Sequence, residues 1–153
     1  MTSFKGTIEI EAPIDYVFAF STDPTNWPKT SPSLSDFEIV EETEDGYLID
    51  ATYRMLGMSI ETEMESSVVE ENAHTRTVFE SDDMNGEMHW YYEEHDDVTH
   101  VTLEVDYEMG DSLFDRLVRP VATRYNERQF RQILSNSKDL IEAELEAETT
   151  VSA

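Results

Sequence analysis

The sequence contains no cysteine, few basic residues and no long apolar run. Without cysteine, the chain has no disulfide framework, no thiol nucleophile and no thiolate ligand for a metal ion. No run approaches the roughly eighteen apolar residues of a membrane-spanning helix. Residues 1–13 also lack the apolar centre of a signal peptide. We therefore expect a cytoplasmic protein without stable membrane insertion.

Basic residues are scarce relative to acids. Ten Lys and Arg face 35 Asp and Glu, and the formal net charge is −25. The acids recur along the chain, in "ETEMES", "VVEEN", "ESDD" and "YYEEHDD", so they do not form a tail. Such self-repulsion is tolerable where salt screens it, which predicts a halophilic protein. Nucleic acid is an improbable partner, because neutralising phosphates requires a basic patch.

Sequence signatures of the common catalytic sites are also missing. The chain has five glycines and no GxSxG, P-loop or Gly-rich nucleotide turn. Its histidines lack metal-ligand spacing: His95 and His100 flank a "DDVT" turn, and alternation puts His89 on the solvent face beside Tyr91. We expect no metal and no cofactor.

Apolar periodicity predicts an α+β domain. Residues 4–10 alternate as a strand, and Pro13 precedes a short apolar helix that ends near Asp23-Pro24. From about residue 36 the period is two for some seventy residues, which indicates antiparallel strands with one covered face. Turns are expected at 44–46, 71–72, 85–86 and 96–97. The 153 residues suit one domain, which we expect over 1–147 with a disordered tail over 148–153.

A helical period then runs from about 112 to 147, with Asp111 or Ser112 as N-cap and a kink or restart at Pro120. Its apolar residues form two stripes on nearly opposite sides. The first comprises Phe114, Leu117, Val121 and Tyr125, and the second Phe130, Ile133, Leu134, Ser137, Leu140 and Ile141. The second stripe is longer, so we expect it to pack on the sheet. The first then lies either at a pocket mouth or in a dimer contact.

The stretch "IEIEAPIDYVFAFSTDPTNWPKTSPSL" resembles the opening of the helix-grip superfamily, which includes START lipid-transfer domains, pollen-allergen-like proteins, polyketide cyclase/dehydrases and coenzyme Q-binding proteins. "MHWYYEEHDDVTHVTLEVDYEM" resembles the penultimate hairpin of that superfamily. The resemblance covers nearly the whole chain. It implies a helix-grip fold, in which a curved antiparallel sheet of six to seven strands wraps a long C-terminal helix, with two short helices after the first strand.

Several large side chains are candidates for lining a cavity between sheet and helix. Trp27, between the two short helices, is either a core plug or a pocket wall, since cores and apolar cavities use the same residues. Inward positions on the strands add aromatic groups with polar tips and adaptable methionine, namely Tyr53, Met64, Trp90, Tyr92 and Tyr107. Val121 and Tyr125 are candidates at the mouth.

Half of the positive charge lies between residues 116 and 131, as Arg116, Arg119, Arg124, Arg128 and Arg131. These arginines either pair with the acidic surface, or one of them, Arg128, reaches the pocket mouth and holds a carboxylate or phenolate.

These features predict a monomer or weak homodimer that binds a hydrophobic small molecule, such as a lipid, quinone or polyketide-like compound. One alternative is a polyketide cyclase/dehydrase-type enzyme without metal or nucleotide, because the same fold hosts both functions. Another is an interaction module without a cavity.

Overall fold

In the part of the chain that the structure describes, seven strands form a single curved antiparallel sheet, accompanied by three α-helices and one 3₁₀ turn. The computed structural model describes residues 2–110 and 117–152. The elements are β1 (Thr2–Ile10), α1 (Ile14–Thr22), the 3₁₀ turn Pro24–Asn26, α2 (Trp27–Thr30), β2 (Leu34–Glu42), β3 (Gly46–Met55), β4 (Met58–Glu70), β5 (His74–Glu80), β6 (Met84–His95), β7 (Val98–Met109) and α3 (Arg119–Ser152). The sheet order is β1-β7-β6-β5-β4-β3-β2. The helix-grip fold expected from the sequence is confirmed.

Alternation along the strands separates a covered face from an exposed one. In β7, Val101, Leu103, Val105 and Tyr107 are buried, whereas intervening residues are partly or fully exposed. Strand β2 departs from this pattern, because its pairing with β3 shifts between Ser35 and Glu38 and between Ile39 and Glu41. Such irregularities break the period of two. Ile39 is consequently 39% exposed.

The hairpins confirm the turns predicted near 44–46, at 71–72 and at 96–97, and they overturn the fourth. Asp96 and Asp97 join β6 to β7 with φ angles of 50° and 66°, as expected for a two-residue hairpin turn. The turn predicted at Asn85-Gly86 is wrong, because both residues lie inside β6. Gly86 is there for close packing: a Cβ atom would lie 2.3 Å from the Asp106 carbonyl oxygen. The β3–β4 turn at Leu56-Gly57 was not predicted.

Helix α3 buries one continuous stripe on the sheet. Phe130, Leu134 and Ile141 are buried as expected, and the stripe continues back through Asn126 and Ala122 at i−4 spacing. Leu117 and Val121 are 86% and 51% exposed, so they lie off this stripe. The sequence indicated two separate stripes because Ala122 and Asn126 are not large apolar residues, although both belong to the buried stripe.

The ends of α3 also differ from expectation. Pro120 is the second residue of the helix, a position whose N–H has no hydrogen-bond partner within a helix. Of the two predictions, a kink or a helix start, the structure therefore has the helix start. Downstream, the helix runs to Ser152, past the boundary expected at 147. The expected N-cap at Asp111 or Ser112, together with Phe114 and Arg116, lies outside the described residues.

Polar contacts fix α3 against the first strand. Lys138 donates from Nζ to the Glu9 carbonyl oxygen at 2.9 Å, and the Glu11 N–H donates to Glu142 Oε2 at 3.1 Å. Within the core, the Phe130 ring lies 5.3 Å from that of Phe4 and 6.0 Å from that of Tyr107. These contacts hold the middle of the helix over the concave face.

A second, smaller apolar cluster closes one end of the sheet. It contains Met55, Ile60 and Ala122 as its buried members. Tyr53 packs against both this cluster and the main core. The space between sheet and helix is therefore filled at the end where β3 turns into β4.

Candidate functional site

An internal cavity of about 130 Å³ lies between the sheet, α2 and α3. This is close to the roughly 150 Å³ of an engineered apolar cavity that binds benzene, so it has room for a small aromatic ligand. Its wall is mainly apolar, and the residues that line it come from α1, α2, all strands from β2 to β7, and α3. Five predicted site residues are among them: Trp27, Tyr53, Met64, Trp90 and Tyr107.

Trp27 forms part of the cavity wall at the start of α2. Its indole Nε1–H donates to the Ser21 carbonyl oxygen at 3.0 Å, and its ring meets Phe37 edge-on at 6.2 Å between centroids. The C-terminal part of α1 thus provides the hydrogen-bond acceptor that a buried indole N–H requires. Trp27 therefore fits both alternatives that the sequence left open, a core residue and a pocket wall, because it packs on the core and faces the cavity.

Trp27 also separates the cavity from a surface depression, here called the hairpin cleft. The cleft is lined by Ser21, Thr22, Trp27, Glu42, Thr43, Glu44, Asp45, Gly46, Tyr47, Ser66, Ser67, Val68 and Thr75. Ser21, Trp27 and Thr75 belong to both linings. Three carboxylates lie on the cleft wall, so the approach to Trp27 from this side is acidic.

The cavity wall away from the hairpin cleft contains a polar cluster, which consists of Tyr53, Tyr107 and Asn126. The Tyr53 hydroxyl donates to Asn126 Oδ1 at 2.6 Å, and Asn126 Nδ2 donates to the Tyr107 hydroxyl oxygen at 3.2 Å. Asn126 is 1% exposed, so these bonds satisfy a fully buried amide. Because Tyr53 also packs on the second apolar cluster, the polar cluster marks the closed end of the cavity.

Burial keeps these phenols protonated. Desolvation raises the pKa of Tyr53 well above its usual value, and the neighbouring Tyr125 and Tyr107 add to the effect. Desolvation also raises the pKa of Tyr107, against the opposing effect of hydrogen bonds to Asn126 and Thr123. Neither hydroxyl becomes a phenolate base at neutral pH.

The chain matches the model of a family described as polyketide cyclase / dehydrase and lipid transport over residues 1–142. It belongs to this family. No curated protein matches by sequence. Solved structures with the same fold include TTHA0849 from Thermus thermophilus, at a TM-score of 0.83 and 18% identity over 93% of this chain and 98% of that one.

Two further solved structures have the same fold as this member of the polyketide cyclase / dehydrase and lipid transport family. The Zhui aromatase/cyclase from Streptomyces sp. R1128 gives a TM-score of 0.83 at 16% identity, covering 94% of this chain and 95% of that one. A START superfamily protein from Mycobacterium smegmatis gives 0.71 at 17% identity, covering 90% and 98%. At these identities the likeness concerns the fold. Family and fold together fit a cyclase/dehydrase or a START-type ligand-binding domain.

Four predicted site residues do not line the cavity of this family member. Tyr92 is buried beside it, with its ring edge-on to Phe18 at 5.1 Å. Tyr125 bonds to the Ser33 hydroxyl at 3.0 Å and to the Arg54 carbonyl oxygen at 3.1 Å. Val121 and Arg128 are exposed on α3. The residues expected at the pocket mouth, Val121, Tyr125 and Arg128, are therefore not part of the cavity lining.

The sequence reading missed much of the cavity wall. The unpredicted lining residues are Phe20, Ser21, Asn26, Thr30, Ser31, Leu34, Thr62, Thr75, Thr77, Phe79, Met84, Met88, Asn126, Gln129, Phe130, Ile133 and Ser137. Thr62 and Met88 lie two residues before Met64 and Trp90, so strand alternation places them on the same side of the sheet as those two residues. Asn126 carried no apolar signal, although its i−4 spacing from Phe130 places it on the buried stripe.

The histidines lie away from the cavity, as two pairs. His74 Nε2 and His89 Nδ1 are 2.8 Å apart, and both rings stack on Tyr91. His95 and His100 meet across the β6–β7 hairpin with ring centroids 4.9 Å apart. No group of three or more His, Asp or Glu within residues 2–110 and 117–152 is arranged to hold a metal ion. In the same part of the chain, no helix has the length and apolarity to cross a membrane.

Proposed function

We propose that the chain binds a hydrophobic small molecule in this cavity and holds it without chemical change. The observation that carries the proposal is a mainly apolar internal cavity, walled by Trp27, Met64 and Trp90, with a few polar groups at one end. Such a combination is typical of small-molecule sites. The cavity also disfavours the alternative of an interaction module without one.

The chemistry of the wall favours binding over catalysis. General acid–base catalysis needs a side chain that exchanges a proton near the working pH. Among the described residues, the cavity lining contains no Asp, Glu, His, Lys or Arg, and the lining tyrosines include Tyr53 and Tyr107, whose pKa values are raised. Cyclisation with dehydration would therefore lack a side chain that both gains and loses a proton near neutral pH.

The cyclase/dehydrase function remains the second candidate because of the family description and the likeness to the Zhui aromatase/cyclase. The two functions separate by mass spectrometry. A polyketide-like compound that is bound and recovered with unchanged mass and unchanged chromatographic retention supports binding, whereas recovery as an isomer of equal mass or with the loss of a water molecule supports the enzyme.

The binding proposal is tested by filling the cavity. Ser137 lines it from α3, and Ser137→Leu adds apolar volume inside. Native mass spectrometry of protein purified from its own host identifies a ligand, and fluorescence of Trp27 and Trp90 then reports its binding. We expect Ser137→Leu to lower affinity at least tenfold with unchanged or higher melting temperature.

Ser135→Leu is the matched control, because Ser135 is exposed on the same helix. It should bind as the wild type does. If Ser137→Leu also binds normally, the ligand does not occupy this cavity. If the wild type carries no ligand and ignores fatty alcohols, quinones and aromatic polyketides, the binding function is rejected.

A further inference from the structure

The charge of the cavity wall contrasts with that of the rest of the chain. Of all residues, 29% are charged, and most of those are acids. The cavity lining nevertheless contains no charged side chain among the described residues. Its polar groups are hydroxyls and amides, so nothing in this wall offsets the cost of bringing an ion out of water.

The hairpin cleft adds a second discrimination against anions. Glu42, Glu44 and Asp45 lie on its wall, and the cleft meets the cavity at Trp27. An anionic ligand approaching from this side is repelled before it reaches the apolar interior. No lysine or arginine lines the cleft in the described part of the chain.

The polar cluster supplies hydrogen bonds without charge. Asn126 uses its amide oxygen on Tyr53 and its amide nitrogen on Tyr107, which orients both hydroxyls at the closed end. The Tyr53 hydroxyl oxygen retains acceptor capacity, because it uses only its proton on Asn126. Gln129, one turn along α3, also lines the cavity, and its Oε1 accepts from the Ser33 hydroxyl at 2.6 Å, which leaves its amide N–H groups as donors.

We infer that the cavity selects an uncharged ligand with a hydroxyl or carbonyl group, which binds at the end formed by Tyr53, Asn126 and Tyr107. The apolar part of the ligand then extends toward Trp27. This inference rests on the proposed function and specifies its ligand class. Carboxylates such as fatty acids are excluded unless they bind in the protonated form.

Matched probes test the inference on the wild-type chain. 2-Naphthalenemethanol, 2-naphthoate and naphthalene share one ring system and differ in polar group and charge. At pH 7, the alcohol should bind at least tenfold more tightly than naphthoate, as measured by isothermal titration calorimetry. On lowering the pH toward the carboxyl pKa of the probe, naphthoate affinity should rise about tenfold per pH unit, with alcohol affinity constant.

Each outcome bears on a different claim. If naphthoate binds as tightly as the alcohol at pH 7, selection for uncharged ligands is overturned and the proposed binding function stands. If the wild type carries no ligand from the host and none of the three probes binds, the proposed function fails and the inference fails with it.

The location of the polar group is tested by variants. Asn126→Leu should abolish the preference for the alcohol over naphthalene, whereas Gln132→Leu, an exposed position on α3, should retain it. Tyr53→Phe tests the same location if Asn126→Leu does not fold, with Tyr91→Phe on the outer face as its control. A preference that survives both Asn126→Leu and Tyr53→Phe would overturn the assignment of this end.

Discussion

The Tyr53 hydroxyl donates a 2.6 Å hydrogen bond to the Asn126 amide oxygen and thereby joins β3 to α3 at the end of the cavity. Asn126 is the only asparagine or glutamine among the largest fully buried side chains of the described residues. The bond therefore has a structural role in addition to the binding role proposed above, and the two respond differently to mutation.

We expect Asn126→Leu to lower the free energy of unfolding by about 1–3 kcal/mol, because Tyr53 and Tyr107 lose their amide partner inside the protein. Urea denaturation measures this. Gln132→Leu, on the exposed side of the same helix, should change it by less than about 0.5 kcal/mol. Equal effects of the two substitutions would contradict the buried position of Asn126.

The face that α3 presents to the sheet is tested with Phe130 and Val121. Phe130→Ala should cost about 3–5 kcal/mol, since the ring is 7% exposed and packs on Phe4 and Tyr107. Val121→Ala should cost less than about 0.5 kcal/mol, because Val121 is half exposed. The reverse order would mean that the predicted stripe of Leu117, Val121 and Tyr125, and not the stripe of Phe130, packs on the sheet. Whether the exposed residues form a weak dimer contact stays a prediction, which Val121→Asp tests through the mass in solution.

Alkaline pH should destabilise the fold through its buried tyrosines. Desolvation raises the pKa of Tyr92 from 10.0 to about 12, against hydrogen bonds to Ser21 and Thr75 that oppose the rise. The unfolded chain therefore loses this proton at lower pH than the folded chain does. The contribution of Tyr92 to the free energy of unfolding is fully present below pH 10 and is lost as the pH rises through about 12.

Denaturation midpoints between pH 8 and 12 measure that loss. Tyr92→Phe should show a smaller decrease above pH 10 than the wild type, and Tyr91→Phe should follow the wild type because Tyr91 is exposed. Parallel curves for all three proteins would show that Tyr92 ionises normally in the fold.

Salt should stabilise the protein. With a formal net charge of −25, repulsion between carboxylates opposes folding, and screening from low to molar NaCl relieves it. We expect the melting temperature to rise over that range in differential scanning calorimetry. Sucrose at equal osmolality does not screen charge and should give a smaller rise. A melting temperature that is flat or falls with salt would reject the halophile prediction.

The sequence by itself determined the strand faces, the single long C-terminal helix and most of the aromatic wall. These follow from local periodicity, because alternation fixes which side of a strand is covered whatever its partner. Trp90 and Tyr107 were placed correctly for this reason. The helical stripe from Phe130 to Ile141 was identified in the same way.

Only the tertiary structure decided whether the covered face encloses a cavity and which groups line it. Apolar patterns are the same for a filled core and a hollow one, so Trp27 was ambiguous until α2 was packed beside α3. Burial of Asn126 depends on two tyrosine hydroxyls that lie 73 and 19 residues away in sequence. Such long-range hydrogen bonds leave no local period, whereas apolar burial does.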